Sequence, residues 1–82
     1  MVLSDRHRTI LNAIGLEGAT EEKLGSDARS REFGDLAHDE LIVFWHTQRR
    51  DPPAGVVGGG PGRWCLTFKG ADEADLPPLR LA

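Results

Sequence analysis

The 82-residue sequence predicts a small α+β domain. Two segments in its first half repeat apolar residues at intervals of three and four, which is the spacing of one helix face, and a shorter segment between them has the start and stop signals of a helix. Two short segments rich in β-branched and aromatic residues follow, and a stretch of glycine and proline separates them. We therefore expect helices first and a pair of strands afterwards, with the strands packed on the helices.

The first helix is expected over residues 4–14, because Ser4 is a good N-cap and Gly15 a good end. Its apolar stripe consists of Leu3, His7, Ile10, Leu11 and Ile14. A second helix of one or two turns is expected between Thr20 and Gly25. A helix this short is marginal alone in water, so it depends on packing against the rest of the chain.

The third helix is predicted to begin near Ser26 or Asp27 and to end near residues 38–39. Its apolar face repeats at intervals of three and four through Phe33, Leu36, Ala37 and Leu41. The charged residues are expected on the solvent side of this helix: Arg29, Arg31, Glu32 and Asp35.

Two strands are predicted over Leu41–Trp45 and Arg63–Thr67, and they most simply form an antiparallel hairpin. Residues 46–62 are expected to be a long, flexible loop, because their proline and glycine break both helix and strand. Thr67 is placed to cap a short last helix. The tail, residues 76–82, holds three leucines that either fold back on the core or contact another chain: Leu76, Leu79 and Leu81.

This order of elements resembles the winged helix-turn-helix family of DNA-binding domains over about residues 4–75. Ser30-Arg31, followed by Leu36 and Leu41-Ile42, resembles the family's passage from its last helix-turn-helix helix into the first wing strand. The run from Arg63 to Gly70 resembles the end of the wing, where an aromatic strand closes with Leu-Thr, one residue and Lys-Gly. The sequence departs from the family in a longer wing and in His38-Asp39-Glu40, which replaces the usual glycine.

The resemblance implies one domain over residues 1–82: three helices, an antiparallel hairpin wing and a short C-terminal helix. It also implies binding to double-stranded DNA, with the third helix in the major groove and the wing on the backbone. The candidate contacts of the wing are Arg49, Arg50, Arg63 and Lys69, and those of the recognition helix are Arg29 and Arg31.

The charge distribution leaves two hypotheses open. The net charge is −3, and residues 17–40 hold eight acidic against three basic residues, whereas residues 46–63 hold three arginines against one aspartate. The first hypothesis is a small DNA-binding transcriptional regulator that acts as a dimer, with the leucine-containing tail as a possible dimer contact. The second is a winged-helix module whose acidic helix and apolar tail bind another protein without touching DNA.

Enzymatic and metal chemistry find little support in the sequence. The glycines of residues 55–62 lack the Gly-Lys-Ser/Thr ending of a phosphate loop, so we expect no enzyme. His7, His38, His46 and Cys65 do not have the spacing of paired metal ligands, so no metal and no cofactor is expected. A single cysteine fits a reducing cytoplasm, and no apolar run is long enough for a membrane span.

Overall fold

The computed structural model describes residues 2–74. It contains four α-helices and one two-stranded antiparallel sheet, so the α+β prediction is confirmed. The helices are α1 (Asp5–Ile14), α2 (Glu21–Leu24), α3 (Arg31–His38) and α4 (Phe68–Glu73), with a 3₁₀ turn at Gly25–Arg29; the strands are β1 (Ile42–Trp45) and β2 (Arg63–Leu66). The predicted tail contacts, Leu76, Leu79 and Leu81, lie outside the described residues.

Side-chain caps define the beginning of each α-helix. The Ser4 hydroxyl accepts from the backbone N–H of His7, and the His7 ring accepts from the backbone N–H of Ser4, which closes a capping box around the first turn of α1. Thr20 caps α2 and Thr67 caps α4 in the same way. These caps confirm the predicted starts of α1, α2 and α4.

The predicted third helix is wrong in one respect, because two helical pieces stand where one was expected. Ser30 is extended, with φ −78° and ψ 158°, and its hydroxyl accepts from the N–H of Phe33 at 3.2 Å. A serine that bonds the backbone ahead of it favours a helix start over a helix interior. Arg29 therefore ends the 3₁₀ turn and is not part of α3, whereas Arg31 is its first residue.

The sheet pairs Ile42 with Leu66 at one end and Trp45 with Arg63 at the other. The outer edge of β2 is also occupied. Ala19 exchanges two backbone hydrogen bonds with Trp64, at 2.8 and 3.0 Å, and Val57 donates to the carbonyl of Leu66 at 3.0 Å. Strand β2 is therefore the central element, since it is bonded on both sides.

The connection between the strands has two parts, which we call the hairpin tip (residues 46–54) and the return segment (residues 55–62). Val57 in the return segment is buried in the core at 5% exposure. A side chain at Gly58 would collide with the carbonyl of Leu16, and one at Gly59 would collide with the Cys65 sulfur. The return segment thus packs closely on the domain, so the prediction that all of residues 46–62 form a flexible loop is wrong for this segment.

The core lies between the helices and the sheet. Its buried residues come from all four α-helices, both strands, the return segment and the positions directly before α2 and β1: Ile10, Leu11, Ile14, Ala19, Leu24, Phe33, Leu36, Leu41, Ile42, Val57, Leu66 and Ala71. Among residues 2–74, no helix combines the length and the apolar character that crossing a membrane requires.

The turn between α3 and β1 has a backbone conformation that suits glycine better than the residue it holds. Glu40 has φ +61°, and it is the one non-glycine residue among residues 2–74 with a positive φ. The position lies within the three residues that replace the expected glycine. Its carbonyl accepts from the Thr67 hydroxyl at 2.7 Å, which fixes the conformation against α4.

Replacement of Glu40 with glycine should raise the free energy of unfolding by about 0.5–1 kcal/mol, because glycine avoids the left-handed penalty but loses more chain entropy. Urea denaturation monitored by tryptophan fluorescence measures the change. Glu40→Ala is the matched control, since it also removes the carboxylate but keeps the Cβ atom. Equal stability of the two variants would show that the backbone conformation carries no penalty.

Candidate nucleic-acid interface

A chain of four rings joins α3 to the hairpin tip. Phe33 meets Trp64 edge to face with ring centroids 4.8 Å apart, and Trp64 lies 5.4 Å from its cross-strand partner Phe44. Phe44 in turn contacts His46 at 5.6 Å. Edge-to-face contacts contribute about 0.5–1.5 kcal/mol each beyond their buried area. The first turn of α3 is therefore fixed beside the strand ends from which the tip extends.

The exposed face of α3 carries Arg31, Gly34 and His38. Glu32 and Asp35, the two acidic residues of this helix, were expected to face solvent. Their side chains instead contact residues of α1. Glu32 Oε1 lies 3.4 Å from Arg6 Nε, and Asp35 Oδ2 lies 3.1 Å from His7 Nε2. The carboxylates that should oppose phosphate groups thus have partners within the domain.

Arg6 and His7 make this contact, and no local sequence pattern predicts that they pair with α3. Arg6 Nη2 also lies 3.1 Å from Asp27 Oδ1, so one guanidinium links α1 to both the 3₁₀ turn and α3. His7 Nδ1 accepts from the N–H of Ser4, which leaves the proton on Nε2 to be donated to Asp35. The pairs span more than 20 residues of chain, beyond the range of any local pattern.

Arg49 and Arg50 lie in the hairpin tip with exposed side chains. The backbone beneath them is anchored. The indole Nε1–H of Trp45 donates to the carbonyl of Arg49 at 2.9 Å, and the N–H of Arg49 donates to the carbonyl of His46 at 3.0 Å. The turn that carries these arginines is therefore tied to the last residue of β1.

The other predicted wing residues lie apart from this turn. Arg63 is the cross-strand partner of Trp45, but its guanidinium donates to the carbonyl of Glu17 at 3.2 Å. It lines a shallow depression together with Lys23, a basic residue that the sequence analysis did not select. Lys69 lies on α4, beyond the other end of the sheet, where its Nζ donates to the carbonyl of Asp39 at 3.4 Å.

Arg29 lies in an acidic environment. It is exposed at the end of the 3₁₀ turn and lines a surface depression together with Glu21 and Glu22. Arg31 is thus exposed at the start of α3, and Arg49 and Arg50 are exposed in the tip, whereas Arg29 and Lys69 lie in other surroundings.

Comparison with known proteins gives no match: neither a family model, nor a curated protein, nor a solved structure resembles the chain closely enough to count as one.

Cys65 is fully buried in β2, under the return segment. Burial raises the pKa of its thiol, and the backbone of Gly60 and the charge of Arg63 offset only part of that effect. The thiol is therefore neutral at physiological pH and a poor nucleophile or metal ligand. Within residues 2–74, no three histidine, cysteine or acidic side chains come together as a metal site would require.

The raised pKa of Cys65 should make stability depend on alkaline pH. Because the folded thiol holds its proton more tightly than the unfolded thiol, the contribution is complete below the unfolded pKa and is lost as the pH rises through the folded pKa. Urea denaturation at several alkaline pH values should show a smaller decrease for Cys65→Ala than for the parent chain. Parallel curves for the two proteins would contradict the assignment.

Proposed function

We propose that the protein is a winged helix-turn-helix domain that binds double-stranded DNA through α3 and the hairpin tip. The chain of rings from Phe33 to His46 carries the proposal, because it holds the helix and the tip in a fixed relation. A two-element interface of this kind requires such a relation, since a helix in the major groove and a wing on the backbone must fit one duplex at the same time.

The topology supports the winged-helix assignment. Three α-helices precede an antiparallel strand pair, and a short helix follows it directly. The Thr67 hydroxyl accepts from the N–H of Gly70 at 3.0 Å, which is the capping role that the Leu-Thr-x-Lys-Gly resemblance implies. Glu40 has positive φ in the turn where the family's glycine is expected.

The charges support a DNA contact of modest strength. Arg31, Arg49 and Arg50 are exposed, whereas the acids of α3 are occupied by Arg6 and His7. Each neutralised phosphate contributes close to one unit to the dependence of log affinity on log salt concentration. Three phosphate contacts are few for a single copy of the chain. We therefore propose that the protein acts as a dimeric transcriptional regulator on a two-fold symmetric DNA site.

The proposal is tested by titrating a fluorescently labelled duplex with the protein between about 50 and 200 mM salt, a range over which phosphate contacts weaken strongly. Arg49→Ala and Arg50→Ala should each reduce the salt slope by about one unit, and the double variant by about two. Arg31→Ala should weaken binding as well, since this residue begins the exposed face of α3.

Arg8→Ala is the matched control. It removes one exposed positive charge from α1, outside α3 and the tip, and Arg8 has no ion pair among the described residues. Its salt slope should equal that of the parent chain. Equal slopes for Arg8→Ala, Arg49→Ala and Arg50→Ala would overturn the tip contact, because the arginines would then act only through net charge.

A second candidate function is a protein-interaction module without DNA contact. The observation that favours it is the acidic surface of α2, where Glu21 and Glu22 are exposed around a depression of about 500 Å³. Such a surface repels phosphate and suits a basic partner. Failure of the parent chain to bind any duplex at low salt would favour this function over the first.

A further inference from the structure

An apolar groove of about 390 Å³ lies beside the return segment, and the proposed DNA contact does not use it. Its lining is Trp45, Pro52, Val56, Val57, Gly58, Gly59 and Phe68. Phe68 is 61% exposed, although it is one of only five aromatic residues in the chain. A groove of this volume, lined mainly by apolar and aromatic residues, is typical of a binding site.

The position of Phe68 is set by its neighbours, so the ring cannot easily turn inward. Thr67 caps α4 directly before it, and the N–H of Phe68 donates to the carbonyl of Gly55 at 2.9 Å. The backbone is therefore bonded to the return segment, and the ring stays at the groove. No segment within residues 2–74 covers it.

The chain itself provides a segment whose chemistry fits the groove. Residues 75–82 read Asp-Leu-Pro-Pro-Leu-Arg-Leu-Ala and follow α4 after Ala74. Proline favours the polyproline II helix, which has three residues per turn, so Leu76 and Leu79 would lie on the same side. Proline-rich segments in this conformation bind grooves lined by aromatic rings, since they are already extended and lose little entropy.

The segment is long enough to return to the groove. The six residues of α4 carry the chain about 9 Å away from Phe68 along the helix axis. The five residues from Ala74 to Leu79 span about 15 Å in polyproline II geometry. This span exceeds the length of α4, so Leu79 reaches Phe68 when the chain reverses direction directly after Ala74.

We propose that residues 75–82 of the same chain occupy this groove, with Leu79 against Phe68 and Trp45. The covalent connection favours this occupant over a second copy. A short tether produces an effective concentration in the millimolar range, far above that of separate chains at micromolar concentration. The contact would cover Phe68 and keep the apolar groove from associating with other molecules.

The test uses the full 82-residue chain labelled with ¹⁵N and ¹³C. Backbone order parameters near 0.85 for residues 76–80, rather than below about 0.6, together with nuclear Overhauser contacts between Leu79 methyls and the rings of Trp45 and Phe68, would support docking. Both results should be independent of protein concentration. Contacts that disappear on dilution would identify a second copy as the occupant and overturn the proposal.

Two variants and one control complete the experiment. Phe68→Ser and Leu79→Ser should each lower the order parameters of residues 76–80 and abolish the contacts to Trp45. Val2→Ser is the control, since it also replaces an exposed apolar side chain, 93% exposed, but lies outside the groove. Low order parameters in the parent chain, or identical spectra for residues 76–80 in all three variants, would overturn the proposal. DNA binding is measured separately, so the two proposals can fail independently.

Discussion

The indole of Trp64 connects all layers of this domain. Its ring contacts both Phe33 of α3 and Phe44 of β1, and its backbone exchanges two hydrogen bonds with Ala19. The sheet has only two strands of four residues each, and such a hairpin is marginally stable in water unless it packs against helices. Because one residue joins α3, β1 and the segment before α2, the relation between these elements depends on its packing.

Much of the fold follows from local signals. Ser4, Thr20 and Thr67 predict helix starts because a capping hydroxyl acts on a backbone N–H only a few residues away. The strands follow from two short runs of aromatic and β-branched residues. The helix start at Ser30 was not predicted. The helical spacing of the apolar residues around it continues through this position, although its backbone is extended.

The charges of the candidate interface depend on distant contacts and could not be predicted in the same way. The sequence places Glu32 and Asp35 beside Arg31, which suggests pairs within one helix. In the structure both acids pair with α1 instead. No spacing rule connects Arg6 or His7 with residues more than 20 positions away, so the electrostatics of α3 emerge only from the packing of the two helices.

The anchored return segment divides the connection between the strands into regions that tolerate change differently. Residues 46–62 form a stretch of 17 residues, yet Val57 is in the core and Gly58 and Gly59 have no room for a side chain. Insertions are accepted where the backbone is exposed and makes few contacts. A reporter sequence could therefore be inserted next to Ala54, whereas the same insertion three or four positions later would separate β2 from the hydrogen bonds along its outer edge.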